Sequence, residues 1–338
     1  MPRNFADRLL DKIDEMKNPS VIGLDPRIQD IPKKVIQNAI KTTCDYSKRK
    51  LGELTLDDKF RATAQAFFDF NVGIIDSTCE IAGICKPQYA FYDQYGHHGV
   101  KAFEDTIEYA RSKGMLRIGD KKKNDIKDTA QAYADGALGV VELADGSSHS
   151  SFDLDALTVN GYLGSDGIKP FVDVSKRHGK GIFLLVKTSN ASSGELQDLV
   201  LDPVHGGRKV YEQMALKANQ WGEELLGERG YSSLGVVVGA TFPTDAVSVR
   251  KKAEKAIILV PGYGFQGGMG KDTVPNFNKD GYGAIVNSSR GINFAYKSKD
   301  FATAPENYGK AAANSAESMR NDILTAMKDA GIIPDALK

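Results

Sequence analysis

The sequence predicts a (β/α)8 barrel that spans residues 1–338 as a single domain, with additional helices at its N- and C-terminal ends. Three observations lead to this prediction. Short apolar runs recur along the chain, longer stretches with helical periodicity separate them, and polar residues stand where the apolar runs end. The runs are continuous rather than alternating, which is typical of parallel strands that are covered on both faces.

The apolar runs define eight predicted strands. They cover residues 20–25, 81–86, 115–120, 156–160, 182–187, 234–239, 256–261 and 283–288. Helical periodicity is clearest in residues 60–79, 100–113, 124–140, 205–228 and 244–255. The first 16 residues are amphipathic, residues from about 303 to 338 are predicted to form a terminal helix outside the barrel, and 145–153 has the composition of a surface loop. This alternation favours a barrel over a doubly wound sheet.

Polar residues or glycine follow every predicted strand. They are Asp25, Lys86, Asp120, Asn160, Thr188 and Ser189, Thr241, Gly262, and finally Ser289 and Arg290. Barrel enzymes build their active sites at the C-terminal ends of the strands. We therefore expect these residues to meet at one mouth of the barrel.

Composition excludes several classes of protein. The 44 Lys and Arg residues balance 44 Asp and Glu residues, which argues against a nucleic-acid-binding protein. Cys44, Cys79 and Cys85 are odd in number and lack a CxxC spacing, so we expect reduced thiols and a cytoplasmic location. No run of about 18 apolar residues predicts a membrane span, and no signal peptide is evident. No His/Asp/Glu cluster has metal-ligand spacing, so neither a metal nor a cofactor is expected.

The most informative stretch is the charged run GDKKKNDIKDTAQAY at 119–133. Asp120 and Lys122 lie two apart at a strand end, so their side chains are predicted to share one face. Asp125 follows where the loop becomes a helix, with Ile126 and Thr129 on its first turn, and Asp125 and Thr129 four apart on one helical face. An ammonium between two carboxylates is held in its charged form and can donate a proton to a carbanion. A solvated charge run with Asp125 as a helix cap is the alternative.

A second motif lies near the end of the predicted barrel. Gly262, Gly264 and Gly267 match GxGxxG, which in isolation suggests a dinucleotide site. The motif arrives in the last quarter of the chain and no βαβ unit follows it, so a loop that approaches a phosphate is the better interpretation. Phosphate sites of barrels often lie after the seventh and eighth strands. Gln266 could donate a neutral hydrogen bond there, and Arg290 a charge-assisted one.

The run Asp120-x-Lys122-x-x-Asp125-Ile126-x-x-Thr129 resembles the charged signature of orotidine 5′-monophosphate decarboxylases. Blocks in matching order support this resemblance, at VIGLDPR (21–27), CKPQYAFYDQYG (85–96), VPGYGFQGG (260–268) and NSSRG (287–291). The similarity extends from about residue 5 to 296. It implies a cofactor-free enzyme that converts orotidine monophosphate into UMP and CO2 in pyrimidine biosynthesis.

The resemblance also implies roles for individual residues. Lys122 would protonate the C6 carbanion, with Asp120 and Asp125 orienting it. Substrate would bind through Asp25, Lys86, Gln88, Ile126, Thr129, Ser189, Pro261, Gln266, Ser289 and Arg290. Asp25 would hold a ribose hydroxyl, Ser189 would contact the pyrimidine edge, and Gln266 and Arg290 would hold the phosphate. The resemblance further implies a homodimer in which Asp125, Ile126 and Thr129 would enter the neighbouring subunit's site.

Three alternatives remain open at this point. A Mg²⁺-dependent sugar-phosphate decarboxylase of the same superfamily would also use DxKxxD, but it needs an acidic residue where this chain has Lys86. A Schiff-base aldolase could use Lys122 or Lys187, although a lysine between two carboxylates is a poor nucleophile. The barrel could also be a catalytically inactive phosphate-binding module, which an assay for UMP release would distinguish.

Overall fold

The computed structural model describes residues 2–264 and 267–338. Within these residues eight parallel strands close into a barrel, which confirms the predicted (β/α)8 fold. The strands are β1 (Ser20–Leu24), β2 (Ile84–Pro87), β3 (Leu116–Lys123), β4 (Ala156–Val159), β5 (Gly181–Lys187), β6 (Ser232–Val238), β7 (Ala256–Pro261) and β8 (Ala284–Ser288). They follow one another around the barrel in chain order, and β8 lies beside β1. Each strand overlaps the apolar run that predicted it.

Helices separate the strands. In the described part of the chain, those of eight or more residues are α1 (Phe5–Met16), α2 (Lys33–Ser47), α3 (Leu56–Thr78), α4 (Gly96–Ser112), α5 (Lys127–Leu138), α6 (Ser165–His178), α7 (Val210–Trp221), α8 (Pro243–Lys252) and α9 (Tyr308–Asp329). Shorter α-helices cover Ala90–Asp93, Gly194–Gln197, Gly270–Thr273 and Arg290–Asn293. Single 3-10 turns cover Ile28–Asp30, Leu51–Glu53, Ala191–Ser193, Pro203–His205, Glu223–Leu225, Val274–Asn276, Ala295–Lys297, Pro305–Asn307 and Asp335–Leu337.

The chain divides into two compact units. The first unit contains residues up to 20, 121–288 and 319–338, and the second unit contains 21–120 and 289–318. The core of the second unit is aromatic: the Phe67 ring packs edge-on against Tyr92, and Phe70 stacks on Phe294 and Tyr308. These rings bury large apolar areas, which is the main source of stability of such a core.

The first unit buries its strands almost completely. Every residue of β6 is buried, as expected for a strand that is covered on both faces. The N-terminal helix α1 packs on this unit through Phe5, whose ring meets Phe183 edge-on. A Cβ at Gly181 would overlap the Phe5 ring, so glycine is required there for the helix to approach the strand.

Three details differ from the sequence prediction. Residues 145–153 do not form a simple loop, because Ser148–His149 pairs with Val141–Glu142 in a short antiparallel hairpin. The helices α2 and α6 were not among the predicted helical stretches. Pro170 lies inside α6, and an internal proline normally argues against a helix.

Of the helices in the described residues, none combines the length and the apolar character that a membrane span requires.

Candidate active site

A buried charge network lies at the ends of β2 and β3, in the second unit. Lys86 Nζ donates a hydrogen bond to Asp120 Oδ2 at 2.8 Å, and Gln88 Nε2 donates to the same oxygen at 2.9 Å. Lys86 is 4% exposed and Asp120 8%. Burial acts to lower the pKa of Lys86, but attraction by Asp120 and by Asp25 outweighs it and raises that pKa above its ordinary value. The network therefore fixes both the position and the charge of the Lys86 ammonium.

Asp25 follows β1 directly and is half-buried. Its backbone N–H donates to Asn293 Oδ1 at 2.8 Å, and the Asn293 amide also donates to the carbonyl of Gly23. Burial raises the pKa of Asp25, against the attraction of Lys86 and a hydrogen bond from Ser289. Among the described residues, its buried Oδ1 has no hydrogen-bond partner. That oxygen can accept a hydrogen bond from a ligand hydroxyl.

Ser289 and Arg290 follow β8, also in the second unit. A Cβ on Gly23 would overlap the Ser289 side chain, so glycine on β1 is needed for this close approach. Ser289 is half-buried, and the exposed Arg290 begins the short helix Arg290–Asn293. Ser315 Oγ donates to the carbonyl of Gly291 at 2.9 Å and anchors this turn. An exposed guanidinium at a strand end suits the recognition of a phosphate group.

Lys122 lies near the end of β3 in the first unit, with an exposed side chain. Its backbone has φ 47°, in the left-handed region that non-glycine residues rarely adopt. The Lys122 N–H donates to the buried hydroxyl of Thr158 at 3.0 Å, which holds this unusual conformation. Because the strand pleat is interrupted at Lys122, simple alternation from Asp120 does not determine the direction of its side chain.

Asp125, Ile126 and Thr129 lie between β3 and the first turn of α5. The prediction that Asp125 and Thr129 share a helical face is wrong, because α5 begins at Lys127 and Asp125 precedes it. Ile126 is the N-cap, with extended backbone and no side-chain cap. Its N–H donates to Asp125 Oδ1 at 2.8 Å. Ile126 and Thr129 are both exposed, so their side chains are available to a ligand or another subunit.

The glycine motif after β7 requires its glycines. Gly262, Gly264 and Gly267 have φ values of 99°, 75° and 93°, which residues with a Cβ adopt only with strain. Asp322 of α9 supports this segment, because Oδ2 accepts from Gly270 N at 2.7 Å and from the Tyr263 hydroxyl at 2.8 Å. Pro261, the last residue of β7, accepts a hydrogen bond at its carbonyl from Ala240 N. Gln266 lies outside the described residues.

Ser189 follows β5 by two residues and is half-buried in the first unit. A Cβ on Gly239, just beyond β6, would lie 2.8 Å from Ser189 Cβ. Ser189 therefore rests directly on the backbone after the neighbouring strand. Substitution of this glycine would push the serine out of place.

The expectation that no metal-ligand cluster exists is wrong for one surface site. Asp57, His97 and His98 bring ligand atoms within 4.8 Å of one another, and His98 Nε2 lies 2.7 Å from Asp57 Oδ1. Arg61 also pairs with Asp57, at 3.4 Å. Asp57 lies in the first turn of α3 and the histidines in that of α4, where helix dipoles disfavour cations. These residues do not belong to the network of Lys86 and Asp120.

The structure thus groups part of the predicted site. Asp25, Lys86, Gln88, Asp120 and Ser289 form one set of interacting side chains in the second unit. The described site residues Lys122, Asp125, Ile126, Thr129, Ser189 and Pro261 belong to the first unit. Sequence reasoning missed Asn293 and Thr158. The one available signal was the lone polar Thr158 inside an apolar strand run, whereas nothing in the sequence marks Asn293.

These features define an enzyme of the TIM-barrel class, with charged and hydrogen-bonding side chains where its strands end. The sequence model of the orotidine 5′-phosphate decarboxylase / HUMPS family matches residues 68–306. Orotidine 5′-phosphate decarboxylase of Rhodopirellula baltica is 38% identical over 302 residues, which cover 89% of this chain and 92% of the relative. That of Caldicellulosiruptor saccharolyticus is 38% identical over 294 residues, 87% of this chain and 90% of the relative. The chain therefore belongs to the orotidine 5′-phosphate decarboxylase family.

Solved structures agree with this assignment. The OMP decarboxylase of Leishmania donovani has a TM-score of 0.65 and 27% identity, and the match covers 94% of this chain and 99% of that one. The UMP synthase of the same organism has a TM-score of 0.68 and 29% identity. That match covers 94% of this chain but 57% of the synthase. This chain is thus similar in fold to a stand-alone decarboxylase and to one part of a larger enzyme.

Proposed function

We propose that this chain is a carboxy-lyase that decarboxylates orotidine 5′-phosphate to UMP and CO2, the last step of de novo pyrimidine biosynthesis. Family membership supports the reaction. The observation that carries the chemistry is the buried Asp120 carboxylate, held by Lys86 and Gln88 two residues before Lys122. This arrangement provides a fixed negative charge and, next to it in sequence, a cationic proton donor.

In the proposed reaction the bond between C6 and the carboxylate carbon breaks, CO2 leaves, and the electron pair remains on C6. No carbonyl next to C6 can accept these electrons, so the protein must stabilise the carbanion electrostatically. Lys122 donates its proton to C6 and recovers one from water. Asp120 lies against the substrate carboxylate and disfavours the ground state, while Asp125 orients the lysine. The reaction requires neither a metal nor an organic cofactor.

Substrate binding is divided among the strand ends. Asp25 accepts a ribose hydroxyl at its unpartnered Oδ1, and Ser189 contacts the pyrimidine edge. The remaining proposed contacts are Lys86, Gln88, Pro261, Gln266, Ser289 and Arg290, the last of which binds the phosphate. Binding energy from the phosphate, far from C6, holds the substrate in the position that its carboxylate would otherwise avoid.

We infer that the functional form is a homodimer in the cytoplasm, with residues 1–338 acting as one catalytic domain. Asp125, Ile126 and Thr129 would complete the partner subunit's site, next to its Lys122. The exposure of Ile126 and Thr129 supports this role, because Ile126 is 40% exposed although apolar. The three cysteines are free thiols, which is consistent with a reducing compartment.

The test is the loss of absorbance of orotidine 5′-phosphate with enzyme that has been treated with EDTA. We expect undiminished turnover, with UMP as the product. Loss of activity in EDTA that Mg²⁺ restores would instead support a metal-dependent sugar-phosphate decarboxylase. Lys86 at the end of β2 argues against that alternative, because its charge would repel a cation.

A further inference from the structure

The proposed chemistry leaves a buried charge unexplained. Lys187, the last residue of β5, has no exposed surface. Its ammonium donates a hydrogen bond to Asp198 Oδ2 at 2.7 Å and lies 3.7 Å from Asp245 Oδ2. It also lies 4.6 Å from the centre of the Phe242 ring. A buried ammonium is costly unless carboxylates or rings compensate its charge, so this environment is built around the lysine.

The ion pair of Lys187 closes a loop. Asp198 lies 11 residues further along the chain, and its hydrogen bond brings it back to the end of β5. Asp198 also accepts from the more exposed Lys209, at 3.3 Å. The hydrogen bond from Lys187, more than that from Lys209, lowers the pKa of Asp198 below its ordinary value. The carboxylate is therefore ionised at neutral pH and the closure is intact.

A second contact reinforces the closure at the adjacent residue. The Thr188 N–H donates to Gln197 Oε1 at 3.0 Å, and Gln197 Nε2 donates to Thr188 Oγ1 at 2.7 Å. Both ends of the segment 188–198 are thus tied together. Ser189 follows the tied Thr188 directly, and its Cβ lies close to the backbone of Gly239. The ties therefore hold the chain on the N-terminal side of Ser189, and Gly239 limits the space around its side chain.

We propose that Lys187 is a positioning residue that, through Asp198, sets the geometry with which Ser189 recognises the pyrimidine base. This inference rests on the proposed function, which assigns Ser189 to the base. It gives the buried lysine a role in base recognition that is separate from phosphate binding at Arg290. The burial of Lys187 and its bond to Asp198 argue against a covalent role, because a nucleophile must be accessible to the substrate.

The experiment compares two ligands that differ in the base. UMP carries the pyrimidine, whereas ribose 5-phosphate offers the same ribose and phosphate without it. Lys187→Met preserves the bulk of the side chain and removes its charge. A loosened Ser189 should weaken UMP binding about tenfold, roughly the size of one lost hydrogen bond. Ribose 5-phosphate should bind within about twofold of wild type, and KM for orotidine 5′-phosphate should rise more than kcat falls.

Three further variants keep the test decisive. Asp198→Ala removes the acceptor at a site that is 35% exposed, and it should reproduce the selective loss even if Lys187→Met does not fold. The double variant should be no worse than either single one, because both remove the same contact. Lys209→Met is the matched control, since it removes the exposed partner of Asp198 and leaves the buried one. It should bind UMP as wild type does.

Two results would overturn the inference. Equal weakening of UMP and ribose 5-phosphate in Lys187→Met and Asp198→Ala would show a general structural role, and unchanged binding of both would show none. Failure of the proposed function is visible separately, in wild type alone. It would appear as absent decarboxylation or as UMP binding no tighter than ribose 5-phosphate, and the inference would fall with it.

Discussion

Removal of the Lys86 charge should measure how strongly the site holds Asp120. In Lys86→Met the Asp120 carboxylate remains buried and keeps the hydrogen bond from Gln88. The side chains of Lys86 and Asp120 are 5% and 10% exposed, so solvent can compensate little of the lost charge. Breaking a buried ion pair from one side costs about 3–5 kcal/mol. The surviving amide bond places our expectation near the lower limit, at about 3 kcal/mol of unfolding free energy.

The assay is urea denaturation at neutral pH, with Asp120→Asn and the double variant completing a thermodynamic cycle. The folded-state pKa of Lys86 is raised above 10.5, so the stabilisation by its charge is complete at neutral pH. It is lost only as the pH rises through that higher pKa. The double variant should be less destabilised than the sum of the single ones by about 1 kcal/mol or more, because it removes both charges of the pair together.

Lys169→Met provides the matched control. Lys169 pairs with Asp173 on the exposed surface of α6, and its replacement should leave the unfolding free energy unchanged. The reasoning is refuted if Lys86→Met unfolds at the urea concentration of wild type. It is also refuted if the two single effects simply add. Either result would mean that Asp120 is not held by its bond to Lys86.

Three other predictions follow from the proposed roles. Lys122→Ala should abolish turnover and leave UMP binding and the unfolding curve near those of wild type, whereas the control variant Lys123→Ala should stay active. A normal kcat in Lys122→Ala would show that this lysine is not the proton donor. Arg290→Ala should weaken UMP binding by about 2–3 kcal/mol, the size of a lost charge-assisted hydrogen bond; equal decarboxylation of phosphate-free orotidine by this variant and by wild type would show that the phosphate site is misplaced. Mixing inactive Lys122→Ala with inactive Asp125→Ala should restore activity at about a quarter of the sites. Random exchange of subunits makes half of the dimers mixed, and one of the two sites in each mixed dimer then has both native residues. No recovery despite demonstrated exchange would show that Lys122 and Asp125 of one active site come from the same subunit.

The strands could be predicted because each is a continuous apolar run, and such short runs are typical of parallel strands that are buried on both faces. The helix α2 could not be predicted in this way. Within the described chain, Ala39 and Thr43 are its only buried residues, so its sequence shows little apolar periodicity. The start of α5 was placed too early for a related reason. Its N-cap is Ile126, which offers no capping side chain, so the boundary carries no sequence signal.

The charged residues of the site could be predicted from their types and spacing. The residues that hold them in place through hydrogen bonds could not be predicted. Asn293 acts on Asp25 from 268 residues away, through one backbone hydrogen bond that no local pattern reveals. Thr158 acts on Lys122 in the same manner, from β4. Such contacts depend on which strands become neighbours. They therefore emerge only when the barrel closes.

The different surroundings of Asp120 and Lys122 fit their proposed roles, which are a fixed negative charge and a proton donor that is recharged from solvent. A carboxylate that opposes the substrate's negative charge is useful only if it cannot move away, and Asp120 is buried and held by two donors. A proton donor must be reprotonated after each turnover, and Lys122 remains exposed to solvent. Its left-handed backbone costs about 1–3 kcal/mol and persists because Thr158 binds its N–H. Thr158→Val should therefore lower kcat by releasing this backbone, while the buried network around Asp120 stays intact. A Thr158→Val enzyme with unchanged kcat would show that the Lys122 conformation does not matter for proton transfer.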